Sequence, residues 1–146
     1  MKVEVKIVAK GHRSQIKKER NEKNKDRRPM AHAKYVRISD TKARIVLNQI
    51  KGKGIDEARA ILFHSPRYAA EVIIKVLNSA VANAENNLGM DYEKLVVQEV
   101  HANRGSSHYS RWRLRPRAKG RGNRIERKMS HISVVLNDRD EIKAKK

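Results

Sequence analysis

RGSSHYSRWRLRPRAKGRGNRIERK, residues 104–128, carries ten Lys or Arg and a single acid, Glu126. Strand-like residues precede it, Leu95 to Ala102. Others follow it, with Ile132, Val134 and Leu136 alternating with Ser133 and Val135 as in a half-buried strand. Those flanks hold the two ends of the basic stretch together, so it reads as a long β-hairpin. Gly105, Ser106 and Ser107 mark a bend where it leaves the body. Lys119-Gly120 is the strongest turn signal near its middle, with Gly122-Asn123 close behind. Arms of about a dozen residues at about 3.3 Å each would reach roughly 40 Å. A two-stranded hairpin of that length is marginal in water, so it is expected to need a partner to become ordered. A basic finger held at its base by a folded body suits a polyanion that it penetrates. That favours folded RNA over a flat anionic surface.

Upstream of the finger the pattern is helical. Pro29 opens the globular part, and Lys34 to Ile38 is expected as a short strand. Ser39 suits a helix N-cap, with Asp40 in the first turn. DTKARIVLNQI then places Ala43, Val46, Leu47 and Ile50 at helical spacing, and Gly52 and Gly54 stop it. A second short helix is expected over Asp56 to Phe63, with Ala58, Ile61 and Leu62 inward. Ser65 followed by Pro66 reads as the N-cap and first position of a third. Its apolar stripe is Ile73, Val76, Leu77, Ala80, Val81, Ala84 and Leu88, and Gly89 is its stop. The expected fold class is α+β: three helices packed on a small antiparallel sheet, with a long protruding basic β-hairpin.

The 146 residues suffice for one domain with a modest core. The expected division is a basic extension over 1–29, a single domain over 30–139 that includes the hairpin at 104–131, and a charged tail over 140–146. The net charge of +19 is unevenly spread: +7 over residues 1–30, +2 over 31–103, +9 over 104–128 and +1 over 129–146. Two basic blocks flanking a balanced middle point to nucleic acid or an anionic membrane. Lys17 to Arg28 is nearly devoid of apolar residues and cannot offset its ordering entropy by burial. It reads either as a solvated tail or as a basic arm that orders on RNA.

There are no cysteines, which excludes disulfides, thiol nucleophiles and thiolate metal sites and fits a reducing compartment. MKVEVKIVAKGHR lacks the continuous apolar core of a secretory signal, and no apolar run approaches the ~20 residues that span a bilayer. Six histidines show no metal-ligand spacing on a single helix. His101 and His131 would meet across the base of the hairpin, without the carboxylates a metal site needs. GKG at 52–54 and KGRG at 119–122 lack the spacing of a phosphate-binding loop. Carboxylates are few and scattered, so no enzyme is expected, and no cofactor.

The binding chemistry is richer. Arg104 opens the finger; Arg111, Arg113 and Arg115 alternate, so in a strand they project on one face, and Arg117 continues the series. Trp112 and Leu114 fall on the other face. Lys119, Arg121, Arg124, Arg127 and Lys128 follow less regularly. Arg outnumbers Lys eight to two here, whereas residues 1–30 hold seven Lys and four Arg. Guanidinium groups bond phosphate bidentately and stack on bases, so the finger reads as geometric recognition and the extension as diffuse electrostatics. Tyr109 and Trp112 suit base stacking, or for Trp112 packing between the hairpin arms. On the third helix Ser79, Asn83 and Asn87 recur every four residues, either as an RNA-contacting face or as a solvent face.

Three separated motifs carry a resemblance. PRAKGRGNRI at 116–125 followed by MSHISVVLND at 129–138 resembles the hairpin and closing strand of the bacterial large-subunit ribosomal protein twenty-two family. SAVANAENN at 79–87 is similar to that family's long-helix signature, and SDTKARIVLNQIKGK, within 35–53, to its first helix and glycine stop. The likeness covers residues 30–138.

The resemblance implies a structural constituent of the large subunit of the cytoplasmic ribosome, active in translation and early in subunit assembly. Its partners would be large-subunit ribosomal RNA, neighbouring ribosomal proteins and the nascent polypeptide. The tip, Pro116, Arg117, Ala118, Lys119, Gly120 and Arg121, would line the peptide exit tunnel. Arg124 and His131 would lie on the returning arm against RNA. No membrane and no second copy of the chain is expected as a partner. In this sequence SSHYSRWRLR separates Gly105 from Pro116, a few residues more than the family pattern, so no contacts carry over to His108 through Trp112. Two rival readings are an RNA chaperone or assembly factor that leaves the mature particle, and an architectural DNA-binding protein with a basic arm. The latter uses apolar wedges, and PRAKGRGN holds none.

Overall fold

The computed structural model describes residues 12–23, 28–107 and 113–139. In chain order the elements are α1 (His12–Lys23), β1 (Met30–Val36), α2 (Asp40–Ile50), α3 (Ile55–His64), α4 (Tyr68–Leu88), β2 (Leu95–Arg104), β3 (Arg113–Pro116), β4 (Gly122–Ile125) and β5 (Ser130–Asp138). The class is α+β. β1, β5 and β2 form an antiparallel sheet in that order, and β3 and β4 form a separate two-stranded ladder. The last strand is thus the central one: the finger departs from the edge strand β2 and returns into the central strand β5.

Period-two alternation decides which face of the sheet is buried. Ala31, Ala102, Ile132 and Val134 point under the helices and are buried, whereas His32 and His101 on the opposite face are exposed. α2 and α4 lie on that buried face, and α3 packs against both. Leu47, Ile50, Leu62, Ile73, Leu77, Leu95, Ile132 and Leu136 fill the space between the layers. Each is the inward residue of a 3.6- or 2-residue period, so burial follows the pattern of the sequence.

The helices within 40–88 match the sequence expectation closely, with differences at their ends. The expected third helix begins at Tyr68, not Pro66: Arg67 is its N-cap, and Ser65 instead closes α3, donating its N–H to Leu62 O at 3.3 Å. Ser39 holds the N-cap position of α2, but its hydroxyl meets Thr41 Oγ1 at 2.8 Å and makes no capping bond. Gly89 ends α4 in the left-handed conformation, φ 61°, with its N–H on Glu85 O. The loop after α2 joins the sheet: Gly52 N–H donates to Val97 O at 2.7 Å, and Val97 N–H to Lys53 O at 3.0 Å.

Three larger differences emerge. β1 runs over Met30–Val36 rather than 34–38, because Ala31 and Ala33 are small enough to pass beneath α4. Alanine carries little strand propensity, which hides this strand from a pattern reading. Second, α1 adds a fourth helix among the described residues, within the stretch expected as an extension. Its residues 14–22 are exposed. It is built from good helix formers (Gln15, Lys17, Lys18, Glu19, Arg20, Glu22) rather than an apolar stripe, and at this length such a helix is marginal alone. Third, among the described residues the ladder of the finger covers Arg113–Pro116 against Gly122–Ile125, whereas arms of about a dozen residues are expected from the sequence. Residues 126–129 continue without strand pairing. Residues 108–112, including Arg111, Trp112 and Tyr109, lie outside the described residues.

Candidate nucleic-acid interface

The finger is closed by the turn that the sequence marks. Lys119 and Gly120 both have positive φ, 58° and 68°, as a type I′ hairpin turn requires. Arg121 N–H donates to Ala118 O at 3.4 Å, and Arg117 N–H to Arg121 O at 2.7 Å. Lys119 is the residue in the less natural state, because its Cβ crowds the backbone in the left-handed region. Gly122 has a second reason to be glycine: a Cβ there would stand 3.1 Å from the Leu114 side chain, which lies across it.

Cross-strand partners share a face of the ladder. Arg113 pairs with Ile125 and Arg115 with Asn123, so one face carries those four. Leu114 pairs with Arg124 and Pro116 with Gly122, so the other face carries Arg124 beside Leu114. Arg113 and Arg115 do share a face, but arginine is present on both sides of the finger. Arg113, Arg115, Arg117, Lys119, Arg121, Arg124, Arg127 and Lys128 are all exposed. So are Leu114 and Ile125, at 66% and 47%. Cations around short apolar planes suit phosphates flanking bases better than a uniformly charged surface does.

The base of the finger is pinned. Gly105 N–H donates to Met129 O at 2.8 Å, and a Cβ on Gly105 would meet that oxygen at 3.2 Å and His131 Nε2 at 3.3 Å. Glu126, the single acid of the stretch, accepts from Arg104 Nη2 at 2.9 Å and ties the outgoing strand to the returning arm. Arg104 therefore has an internal partner. His131 Nδ1 accepts the backbone N–H of Tyr35 at 3.1 Å and is half-buried at the root of the returning arm. His101 faces Ser133 in the register, whereas His131 faces Asn103, so the two histidines do not sit opposite each other.

The asparagines of α4 separate. Asn83 is half-buried and donates Nδ2–H to Met30 O at 3.0 Å, fastening α4 to β1. Asn87 is exposed and reaches Asn83 Oδ1 at 3.4 Å. A four-residue repeat of asparagine reads the same whether it meets solvent, RNA or a neighbouring strand.

Two features escaped the sequence. Arg28 Nη1 donates to Glu99 Oε1 at 2.7 Å and to Gln98 Oε1 at 3.0 Å, joining the residues before β1 to β2. The Arg28 guanidinium, and then His101, hold the Glu99 carboxyl below the usual glutamate range. Arg37, Lys42 and Arg67 line one cavity with Lys128 of the returning arm, although they come from separated segments. No linear motif marks such a group.

The described residues thus form a small α+β body that projects a turn-closed, arginine-rich finger. Residues 31–137 match the family model of ribosomal protein L22p/L17e. The chain is 56% identical over 132 residues to the large ribosomal subunit protein uL22 of Lachnospira eligens, covering 90% of this chain and 100% of that relative. It is 51% identical over 132 residues to the protein of the same name from Lachnoclostridium phytofermentans, with the same coverage. It is 50% identical over 109 residues to that of a Thermotoga species, covering 75% of this chain and 67% of that relative. The chain belongs to the ribosomal protein L22p/L17e family.

Proposed function

We propose that the chain is a structural, non-enzymatic constituent of the large subunit of the cytoplasmic ribosome, acting in translation. It binds large-subunit ribosomal RNA through the finger and supports subunit assembly. Residues 30–139 act as one body with the finger at 104–131, flanked by charged ends at 1–29 and 140–146. The tip, Arg117 to Arg121, lines the peptide exit tunnel and meets the nascent polypeptide. Neighbouring ribosomal proteins share the site, and the chain acts as a single copy.

The observation that carries the reading is the exposure of every described cation from Arg113 to Lys128 on an arm that buries almost nothing of its own. Such an arm gains its stability from what it binds. Family membership supplies the partner. Arg113, Arg115, Arg124, Arg127 and Lys128 serve the RNA along the arm, and Arg111, outside the described residues, is assigned the same role from the sequence alone. Arg104 and His131 have internal partners, so they shape the base and meet RNA with their remaining donors. Asn87 keeps an exposed amide for RNA, while Asn83 holds the helix to the sheet.

Co-sedimentation with large subunits after a high-salt wash tests this role. A permanent constituent stays with the particle. Release of the chain would favour an assembly factor or RNA chaperone instead, and a preference for bent duplex DNA over large-subunit RNA would favour the architectural reading.

A further inference from the structure

A cavity of 870 Å³ opens between the starts of α2 and α4 and the returning arm of the finger. Arg37, Lys42, Arg67 and Lys128 stand around it. The one carboxylate among its described lining residues, Glu126, is already bonded to Arg104. The wall between these charges is apolar and open: Tyr68 is 66% exposed and Ile45 49%, although both stand on helices whose other faces form the core. Neither helix start is closed by its own N-cap side chain, Ser39 or Arg67, and the positive ends of the two helix dipoles are offset by Asp40 and Glu71 in their first turns, so the positive field here rests on the four cations.

Four cations alone would suit any polyanion. An exposed tyrosine ring among them narrows the choice to a ligand with both a flat apolar face and negative charge on either side of it. An unpaired nucleotide has that form, since its base stacks on an aromatic plane and its phosphates flank the base. An acidic peptide would satisfy the cations but leave the ring without a matching plane. The cavity also adjoins the returning arm, so a strand running along Arg124, Arg127 and Lys128 reaches it without a break.

We propose that this cavity seats an unstacked nucleotide of the large-subunit RNA. Its base lies against Tyr68 and Ile45, and its phosphates meet Arg37, Lys42, Arg67 and Lys128. This rests on the reading of RNA as the partner and adds a second contact, on the helical body rather than the finger.

The test uses the full chain and purified large-subunit RNA, with binding measured across a salt series. Tyr68→Ala is expected to lose roughly five- to a hundredfold in affinity, the range of a base–aromatic stack, with no change in salt slope. Tyr68→Phe, which keeps the ring, is expected to retain most of the affinity. The double variant Lys42→Gln with Arg67→Gln is expected to flatten the slope by about 1.4 if two single-strand phosphates are lost. Ultraviolet irradiation of the wild-type complex is expected to crosslink Tyr68 to one nucleotide. Because Tyr68 is mostly exposed, its truncation should leave the unfolding midpoint of the free protein in place, which separates lost binding from lost fold.

A finger variant, Arg113→Gln with Arg124→Gln, distinguishes the two contacts. If it weakens binding while Tyr68→Ala does not, the cavity proposal is overturned and the finger reading stands. If Tyr68→Ala weakens binding and the finger variant does not, the cavity stands and the finger reading fails. A Tyr68 crosslink to another protein rather than to RNA, in assembled subunits, would also overturn the proposal.

Discussion

The backbone N–H of Tyr35 donates to Nδ1 of His131 at 3.1 Å, and the two rings meet edge to face, with centroids 4.7 Å apart and planes at 82°. Tyr35 has φ 56°, a left-handed backbone that tyrosine rarely adopts, at the irregularity where β1 slips against β5 between Ala33 and Val36. The histidine thus holds a strained residue of the edge strand to the root of the returning arm. Accepting that bond requires Nδ1 to be unprotonated, which leaves Nε2 to carry the proton in the neutral ring. His131→Ala removes both the bond and the ring contact and is expected to lower stability by about 1–2 kcal/mol. Denaturant unfolding of the purified chain checks this, and no change in midpoint would remove His131 from the base.

Glu126 and Arg104 lock the finger at a cost in charge. An exposed pair of this kind contributes only about 0–1 kcal/mol. Glu126→Gln also frees Arg104 for phosphate. The variant is expected to bind RNA more tightly at low salt, with a salt slope steeper by about 0.7–0.9 if one more phosphate is met. A slope equal to the wild type's would mean that releasing Arg104 adds no phosphate contact.

The Arg28–Glu99 tie gives a pH dependence with a definite sign. The Glu99 carboxyl titrates lower in the folded protein than in the unfolded chain, because Arg28 bonds its charged form. Its contribution is therefore complete above the unfolded value, about 4.3. It is lost as pH falls through the lower folded value. The stability difference between wild type and Glu99→Gln is expected at pH 7 and should shrink towards zero in strong acid. A difference that stays constant with pH would contradict the tie.

Tip and arm are expected to part in function. Lys119 or Gly120 substitutions alter a turn that buries nothing, so subunit yield should remain near normal while nascent-chain stalling or the response to tunnel-binding macrolides changes. Arg113→Gln with Arg124→Gln removes a cation from each face of the ladder and should lower subunit yield. Gradient profiles and stalling assays on both variants check the assignment, and the reverse pattern would overturn it.

What the sequence makes legible follows from which residues carry a periodic signal. The stripe from Ile73 to Ala84 is buried along its length, and Gly89 and Gly120 adopt the backbone that only their chemistry favours. The first half of β1 stayed hidden, with the expected strand set at 34–38, because two alanines and a histidine do not look like a strand. α1 stayed hidden because its helicity rests on propensity rather than on a buried face. Asn83 was legible as a repeat but not as a tie to Met30, since a side-chain amide bonds RNA and backbone carbonyl alike. The cavity at Tyr68 was out of reach because its cations are brought together only by packing.

The central claim is that the finger lies in large-subunit RNA with its tip at the tunnel. Crosslinking of the chain in purified ribosomes, with both residues and nucleotides mapped, tests it most directly. Crosslinks are expected from the arms, Arg113 to Pro116 and Gly122 to Lys128, to large-subunit RNA. Crosslinks are also expected from Lys119 at the tip to nucleotides of the tunnel wall or to a stalled nascent chain. Crosslinks confined to the helices, with residues 113–128 silent, would contradict it.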